Sequence, residues 1–257
     1  MFDHADPSNR DIAAEVDSLP AMSLDQIHLG LPDDAPWFVR VVLRSRSFLV
    51  VTIVITTILT IIAASNPDWL LRIDQPISEW IRGAGIDLSF AKLVTQLGSP
   101  NLAIGVGLIA VVVLWGRCRA SALTLGTLMA AALTADIVLK LVVDRPRPPN
   151  PDINTQLSSF PSGHVIQAVV MFGLVPLLLW VLTNRTLYLR LGFVVFAVVV
   201  LSVAVSRVRL GAHWPSDVVA SFFIGATLLL AAESLLTSDW ATKRCSSLGY
   251  HASDSSL

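Results

Sequence analysis

Six apolar stretches set what this chain can become. They run over about 47–65, 99–116, 121–143, 164–182, 190–208 and 217–236, each near the ~20 residues that a helix needs to cross a bilayer core. A backbone in lipid must satisfy its own hydrogen bonds, so stretches of this length are read as spanning helices. The expected fold is an all-α integral membrane bundle of six transmembrane helices. Composition agrees: 54% of the 257 residues are hydrophobic and 14% charged, against about 45–50% and ~25% in soluble domains. Between the first two stretches, Ile77, Trp80, Ile81, Ile86, Phe90, Leu93 and Val94 recur at near-helical spacing among Glu79, Arg82, Asp87 and Lys92. That pattern predicts one or two amphipathic helices at the interface, in the first outer loop.

The spans divide the chain into an acidic tail over 1–46, a membrane domain over 47–237 and a second tail over 238–257. Asp3, Asp6, Asp11, Glu15, Asp17, Asp25, Asp33 and Asp34 face only Arg10 across residues 1–36. Such a stretch buries little surface and is expected to be mostly disordered, with a short helix around 24–31 as its one candidate element. It has neither the basic start nor the short apolar core of a cleavable signal peptide. Its role, including any protein partner, is left open. Basic residues flank alternate connections: Arg40, Arg44 and Arg46, then Arg117 and Arg119, Arg185 and Arg190, and Lys243 and Arg244. The positive-inside rule puts these and both termini in the cytoplasm. The net charge of −1 gives no reason to expect nucleic acid as a partner. Cys118 and Cys245 lack metal-ligand spacing and are expected as free thiols on the reducing side.

Three polar clusters then share the opposite, outer face. The first is Lys140 followed by Arg145 and Arg147-Pro148. Taken alone these cations would be headgroup anchors, yet fixed cations are also what stabilises a phosphoryl group in transfer. The second is Pro161-Ser162-Gly163-His164 at the start of an apolar stretch, where free helix N–H groups favour an anion. Ser162 could be a simple helix cap; His164, an ionisable residue entering a membrane helix, calls for a functional explanation. The third is Ser206-Arg207, then His213 and Asp217. The four-residue step lets a carboxylate reach one imidazole nitrogen and leave the other free as a nucleophile. A helix-starting Asp beside a His has the same spacing. Asp136 lies one turn before Lys140 and is read as a salt bridge that aims it. Arg209 would grip a second phosphate or anchor to headgroups.

In order, K-x6-R-P, P-S-G-H and S-R-x5-H-x3-D resemble the signature of the type 2 phosphatidic acid phosphatase superfamily, over about Leu125 to Phe222. A motif counts in its structural context, and each of the three ends or begins an apolar segment. The resemblance implies a phosphatidic acid phosphatase/haloperoxidase-like bundle and roles for matching residues. His213 attacks phosphorus to form a phosphohistidine, Asp217 orients it, and His164 protonates the leaving oxygen and then activates water. Lys140, Arg147, Arg207, Ser162 and the Gly163 amide hold the phosphate, with Asp136, Arg145 and Arg209 as support. No metal or other cofactor is expected, because protein cations fill that place.

The implied activity is hydrolysis of a lipid phosphomonoester or diphosphate in a bacterial cell membrane. Polyprenyl diphosphate, phosphatidic acid and phosphatidylglycerophosphate are the candidate substrates. A lipid phosphotransferase would differ only in the acceptor hydroxyl. The haloperoxidases that share such a pocket are soluble, and six apolar spans argue against one. A lipid or anion transporter would need charges along a path through the membrane, whereas these cluster on one face apart from Asp136 and Glu233. The orientation is open to test on intact cells with an impermeant thiol reagent. Native Cys118 and Cys245 should stay unlabelled and a cysteine placed at Asn154 should label; the reverse pattern would overturn the assignment.

Overall fold

The computed structural model describes residues 46–236 apart from 66, 117, 118, 156, 184 and 185. The expected tails (Arg46 aside), the short helix around 24–31, Cys118 and Cys245 lie outside the described residues, as do Arg40, Arg44, Arg117, Arg185, Lys243 and Arg244. Eight α-helices follow one another among the described residues: α1 (Arg46–Ser65), α2 (Pro67–Gly83), α3 (Leu88–Thr95), α4 (Pro100–Trp115), α5 (Arg119–Val143), α6 (Gly163–Thr183), α7 (Thr186–Arg209) and α8 (Pro215–Leu236). A 3-10 turn, Gln96–Gly98, joins α3 to α4.

Local chemistry sets several of the ends. The Asp87 carboxylate accepts from the Phe90 amide at 2.8 Å and starts α3. Ser99 caps α4 in the same way and Pro100 occupies its first turn, where a missing N–H costs nothing. Pro215 opens α8 likewise.

Among the described residues, five stretches are long and apolar enough to cross a membrane: 47–65, 88–115, 119–143, 190–209 and 215–235. The second begins earlier than the sequence suggests, because α3, the 3-10 turn and α4 run on. The stretch expected at 164–182 falls in α6, whose described apolar part, Gly163–Leu174, is shorter than the other five. Of the helices expected between the first two spans, α2 precedes the 88–115 stretch and α3 forms its start. Along α2, Trp69, Ile73, Ile77 and Trp80 are exposed, while Leu70, Asp74 and Ser78 are buried.

α6 is the centre of the bundle and packs against α4, α5, α7 and α8. Val165, Ile166, Ala168, Val169 and Val170 are all fully buried. One side of α6 (Ile166, Val170, Met171, Leu174) meets Ala103 of α4, Leu125, Leu128, Met129 and Ala132 of α5, and Ile224 of α8. The other (Val165, Ala168, Val169) meets Val200 and Val203 of α7. Lipid is as apolar as leucine, so such helices are held by close packing more than by water exclusion, and small residues let backbones approach. Ala103, Ala122, Ala132, Ala168 and Ala220 are accordingly fully buried, whereas Leu108, Ile109, Val112, Val194, Val198 and Leu201 stay exposed on the helix backs.

Overfilling this seam is the test of the packing. Ala168→Leu, at a fully buried position, should cost ~1–3 kcal/mol and lower the unfolding midpoint in detergent. Val112→Leu, on the exposed back of α4, should leave the midpoint unchanged. Equal midpoints for both variants would contradict a close-packed α6.

Candidate active site

The alternation of the helices brings four ends to one side: the C-termini of α5 and α7 and the N-termini of α6 and α8. The 144–162 loop folds back over them. The Ser158 hydroxyl donates to the Lys140 carbonyl at 2.7 Å, the Ser159 amide to the Arg145 carbonyl at 2.8 Å, and the Trp214 indole to the Pro146 carbonyl at 2.9 Å. Arg147 crosses the gap. Its Nε donates to the Leu157 carbonyl at 2.7 Å and its Nη1 to the Ala212 carbonyl.

Lys140 is almost wholly buried and pairs with Asp136, as the i, i+4 spacing predicts. Its Nζ also donates to the Pro161 carbonyl at 2.9 Å, at the mouth of α6. A β-carbon on Gly163 would overlap the Asp136 carboxylate. Glycine is what lets the α6 N-terminus come this close to α5. The group against the Gly163 α-carbon is the Asp136 carboxylate.

Ser162 is fully buried, its amide donating to the Ser221 hydroxyl at 2.7 Å. Arg207 is buried and donates through Nη1 to Thr95 Oγ1 at 3.1 Å. The Ser162 Oγ and Arg207 Nε are buried without a hydrogen-bond partner, as are Arg145 Nε and both ends of the Gln167 amide. A buried donor left unpaired costs ~1–3 kcal/mol, so unpaired donors beside a cation cluster are expected where an anion completes them.

His213 is buried, with its Nδ1 2.6 Å from the Ser159 carbonyl oxygen. A carbonyl can only accept, so Nδ1 carries the proton and Nε2 keeps its lone pair. The carboxylate that sequence reasoning placed on this ring is elsewhere. Asp217 Oδ2 accepts from the Ser159 hydroxyl and, at 2.9 Å, from the Trp214 amide. Its Oδ1 accepts from Arg145. Asp217 therefore holds the two residues that frame His213, Ser159 with its accepting carbonyl and the chain neighbour Trp214, in place of the imidazole itself.

Arg145 is the buried hub of this end, only 2% exposed. Besides Asp217 it pairs with Asp74 of α2 through Nη2 at 2.7 Å, and its Nη1 donates to the Ser216 hydroxyl at 2.8 Å. Removing one partner of a buried pair costs ~3–5 kcal/mol, so this triad is a structural fixture. Arg209 donates through Nε to the Ile86 carbonyl at 2.8 Å, and its Nη1 lies 3.7 Å from Asp152. Arg82 of α2 grips the same loop through the Pro149 and Asn150 carbonyls at 3.1 and 2.8 Å.

His164, at the start of α6, is partly buried, and Arg207, Lys140 and Arg147 are near enough to act on it electrostatically. The same three cations act on His213. The three sequence clusters therefore form one site. Four cations, Lys140, Arg145, Arg147 and Arg207, face three carboxylates, Asp74, Asp136 and Asp217, a surplus of one positive charge suited to an anion. Asp74, Ser159 and Ser221 were missed in the sequence. Ser159 stands three residues before Ser162, and Asp74 follows Leu70 by one helical turn on the buried stripe of α2, which is the signal that could have found it.

Comparison with known proteins agrees. Residues 121–240 match the family model of the PAP2 superfamily. Over that segment the chain resembles the superfamily. Over 96 residues the chain is 31% identical to phosphatidylglycerophosphatase B of Bacillus subtilis (strain 168), an alignment covering 35% of this chain and 46% of that relative. The crystal structure of a transmembrane PAP2 type phosphatidylglycerolphosphate phosphatase from Bacillus subtilis superposes with a TM-score of 0.62 at 21% identity, covering 72% of this chain and 94% of that one. The shared fold and the apolar helices make this an integral membrane protein.

Burial, with the charges of Arg207, Arg147 and Lys140, pushes the His213 imidazole well below its ordinary value near 6.5, and the Ser159 carbonyl only partly opposes this. Arg147 is likewise pulled down by burial, opposed by Asp217 and Asp136. For His213 the folded protein binds fewer protons than the unfolded chain once pH falls below about 6.5, so stability declines there as pH falls. Unfolding midpoints measured from about pH 7.5 to about 5.5 should drop, and His213→Asn should flatten part of that slope. An unchanged slope in His213→Asn would contradict a neutral buried ring.

Proposed function

We propose that this protein is a membrane lipid phosphatase working through a phosphohistidine on His213. The observation that carries the reading is the Ser159 carbonyl on Nδ1, which leaves Nε2 as the nucleophilic nitrogen inside a cluster of Lys140, Arg147 and Arg207. The three cations supply the charge neutralisation that phosphoryl transfer requires, and the unpaired Ser162 hydroxyl and Arg207 Nε supply hydrogen bonds. In the first step the Nε2–phosphorus bond forms as the phosphorus–oxygen ester bond breaks, and His164 gives its proton to the departing oxygen. In the second, His164 takes a proton from water, whose oxygen attacks phosphorus and frees His213 and inorganic phosphate. Asp217 serves this reaction through Ser159 and the Trp214 amide.

The six-helix reading includes α6 as a span. With both termini cytoplasmic, the site opens at the outer face, and α2 lies along the interface where a headgroup would enter. Phosphatidylglycerophosphate is the first substrate to try, on the name of the Bacillus subtilis relative, followed by phosphatidic acid and polyprenyl diphosphates.

The test is phosphate release from purified lipid phosphates, with EDTA present, followed by single turnovers. With a natural lipid ester, His164→Ala and His213→Ala should both be nearly inactive. With p-nitrophenyl phosphate, whose phenolate leaves unprotonated, His164→Ala should still release phenolate and accumulate phosphorylated protein, since a general acid matters only for a basic leaving group. A phenolate burst from His213→Ala equal to that of the unaltered protein would remove the nucleophile, and no burst from His164→Ala would remove its role as leaving-group acid alone.

A further inference from the structure

The matched family segment begins at residue 121, yet the polar network behind His213 continues outside it, into α2. Asp74 is 1% exposed, a carboxylate buried on the inner stripe of that helix between Leu70 and Ser78. Both of its oxygens are used. Oδ1 accepts from the Ser216 amide at 2.8 Å, so a side chain from another helix caps the N-terminus of α8, where the free amides and the positive dipole end favour it. Oδ2 accepts from the Ser216 hydroxyl at 2.6 Å and from Arg145 Nη2 at 2.7 Å. Arg145 Nη1 then holds Asp217, and Asp217 holds Ser159 and the Trp214 amide. The Ser159 carbonyl fixes the ring of His213.

We infer that Asp74 is a positioning residue for His213, acting through Arg145, Asp217 and Ser159, so that α2 is part of the machinery of the site. The physical argument is one of charge. Arg145 sits between two carboxylates, and its two terminal nitrogens divide between them. With Asp74 neutral, the guanidinium is free to swing wholly onto Asp217, and the Oδ1 of Asp217 would follow it. The other oxygen, Oδ2, would then lose its line to the Ser159 hydroxyl and the Trp214 amide, and the carbonyl that selects the His213 tautomer would shift. Asp74 makes no contact with the cations that face the anion, Lys140, Arg147 and Arg207, among its hydrogen bonds and ion pairs. Substrate affinity is therefore separate from its action. The job assigned to His213 rests on the phosphatase reading above; the linkage from Asp74 to its ring does not.

Two measurements separate these. The first needs no turnover: side-chain nitrogen NMR of histidine-labelled full-length protein in detergent. His213 should show one tautomer, protonated at Nδ1, in the unaltered protein. Asp74→Asn should convert it to a mixture, and Ser216→Ala, which removes one hydroxyl from the network and keeps the charge, should give a smaller change in the same direction. The second is steady-state hydrolysis of a lipid phosphate. Asp74→Asn should lower kcat about ten- to a hundredfold, the scale of a small misplacement of a reacting group, with KM changed less than about twofold. In the Asp217→Asn background the same substitution should add no further loss, because the two act in series. Glu79→Gln, on the exposed side of α2, should change neither measurement.

An unaltered His213 tautomer in Asp74→Asn would overturn the inference, as would losses that multiply in the double variant or a loss carried by KM alone. If the tautomer shifts in Asp74→Asn while the unaltered protein releases no phosphate from any lipid, the linkage stands and the phosphatase reading falls.

Discussion

A charge buried at the end of an apolar helix has to be paired, and in this protein that requirement organises everything around it. Arg145 is the clearest case. Its guanidinium is closed off from solvent between Asp74 and Asp217, and meeting its needs draws α2, the 144–162 loop and the start of α8 to one point. Lys140 makes a parallel demand, met by Asp136 and the Pro161 carbonyl, which draws α5 to the mouth of α6. Close packing of the helices sets how near these ends can come; the pairing sets which atoms meet. Buried ion pairs add little net stability compared with apolar packing. Their value here is geometric.

The pairing is incomplete in one direction. The three carboxylates of the cluster, Asp74, Asp136 and Asp217, are matched, whereas positive charge is left over around His213 and His164, with the Ser162 hydroxyl and Arg207 Nε unpaired beside it. This asymmetry distinguishes an anion site from a structural salt-bridge network, in which charges would balance. It also accounts for a neutral His213: a fourth cation beside Lys140, Arg147 and Arg207 is unfavourable, so the ring stays uncharged.

Much of this was legible in the sequence. Apolar length identifies spanning helices because lipid offers the backbone no partners, and the three motifs identify the cluster because ionisable residues are otherwise excluded there. The Asp136–Lys140 pair followed from helix periodicity alone. What could not be read was tertiary. The step from His213 to Asp217 permits a hydrogen bond between them, but a carbonyl from residue 159 occupies the ring nitrogen, and no local spacing reveals that. Asp74 sits 143 residues before Asp217 in an amphipathic stretch whose charges look solvent-facing until the helix is docked. The partners of Arg209, Ile86 and Asp152, come from two distant loops and are equally hidden from local spacing.

The central claim is that Nε2 of His213 points its lone pair at an anion held by Lys140, Arg147 and Arg207. The most direct measurement is an experimental structure of the full chain with orthovanadate, which resembles a phosphoryl group in transfer. Vanadium should be bonded to His213 Nε2, with its oxygens at hydrogen-bond distance from all three cations and the Ser162 hydroxyl. Vanadium bonded to His164, or vanadate absent from this cluster at saturating concentration, would contradict it.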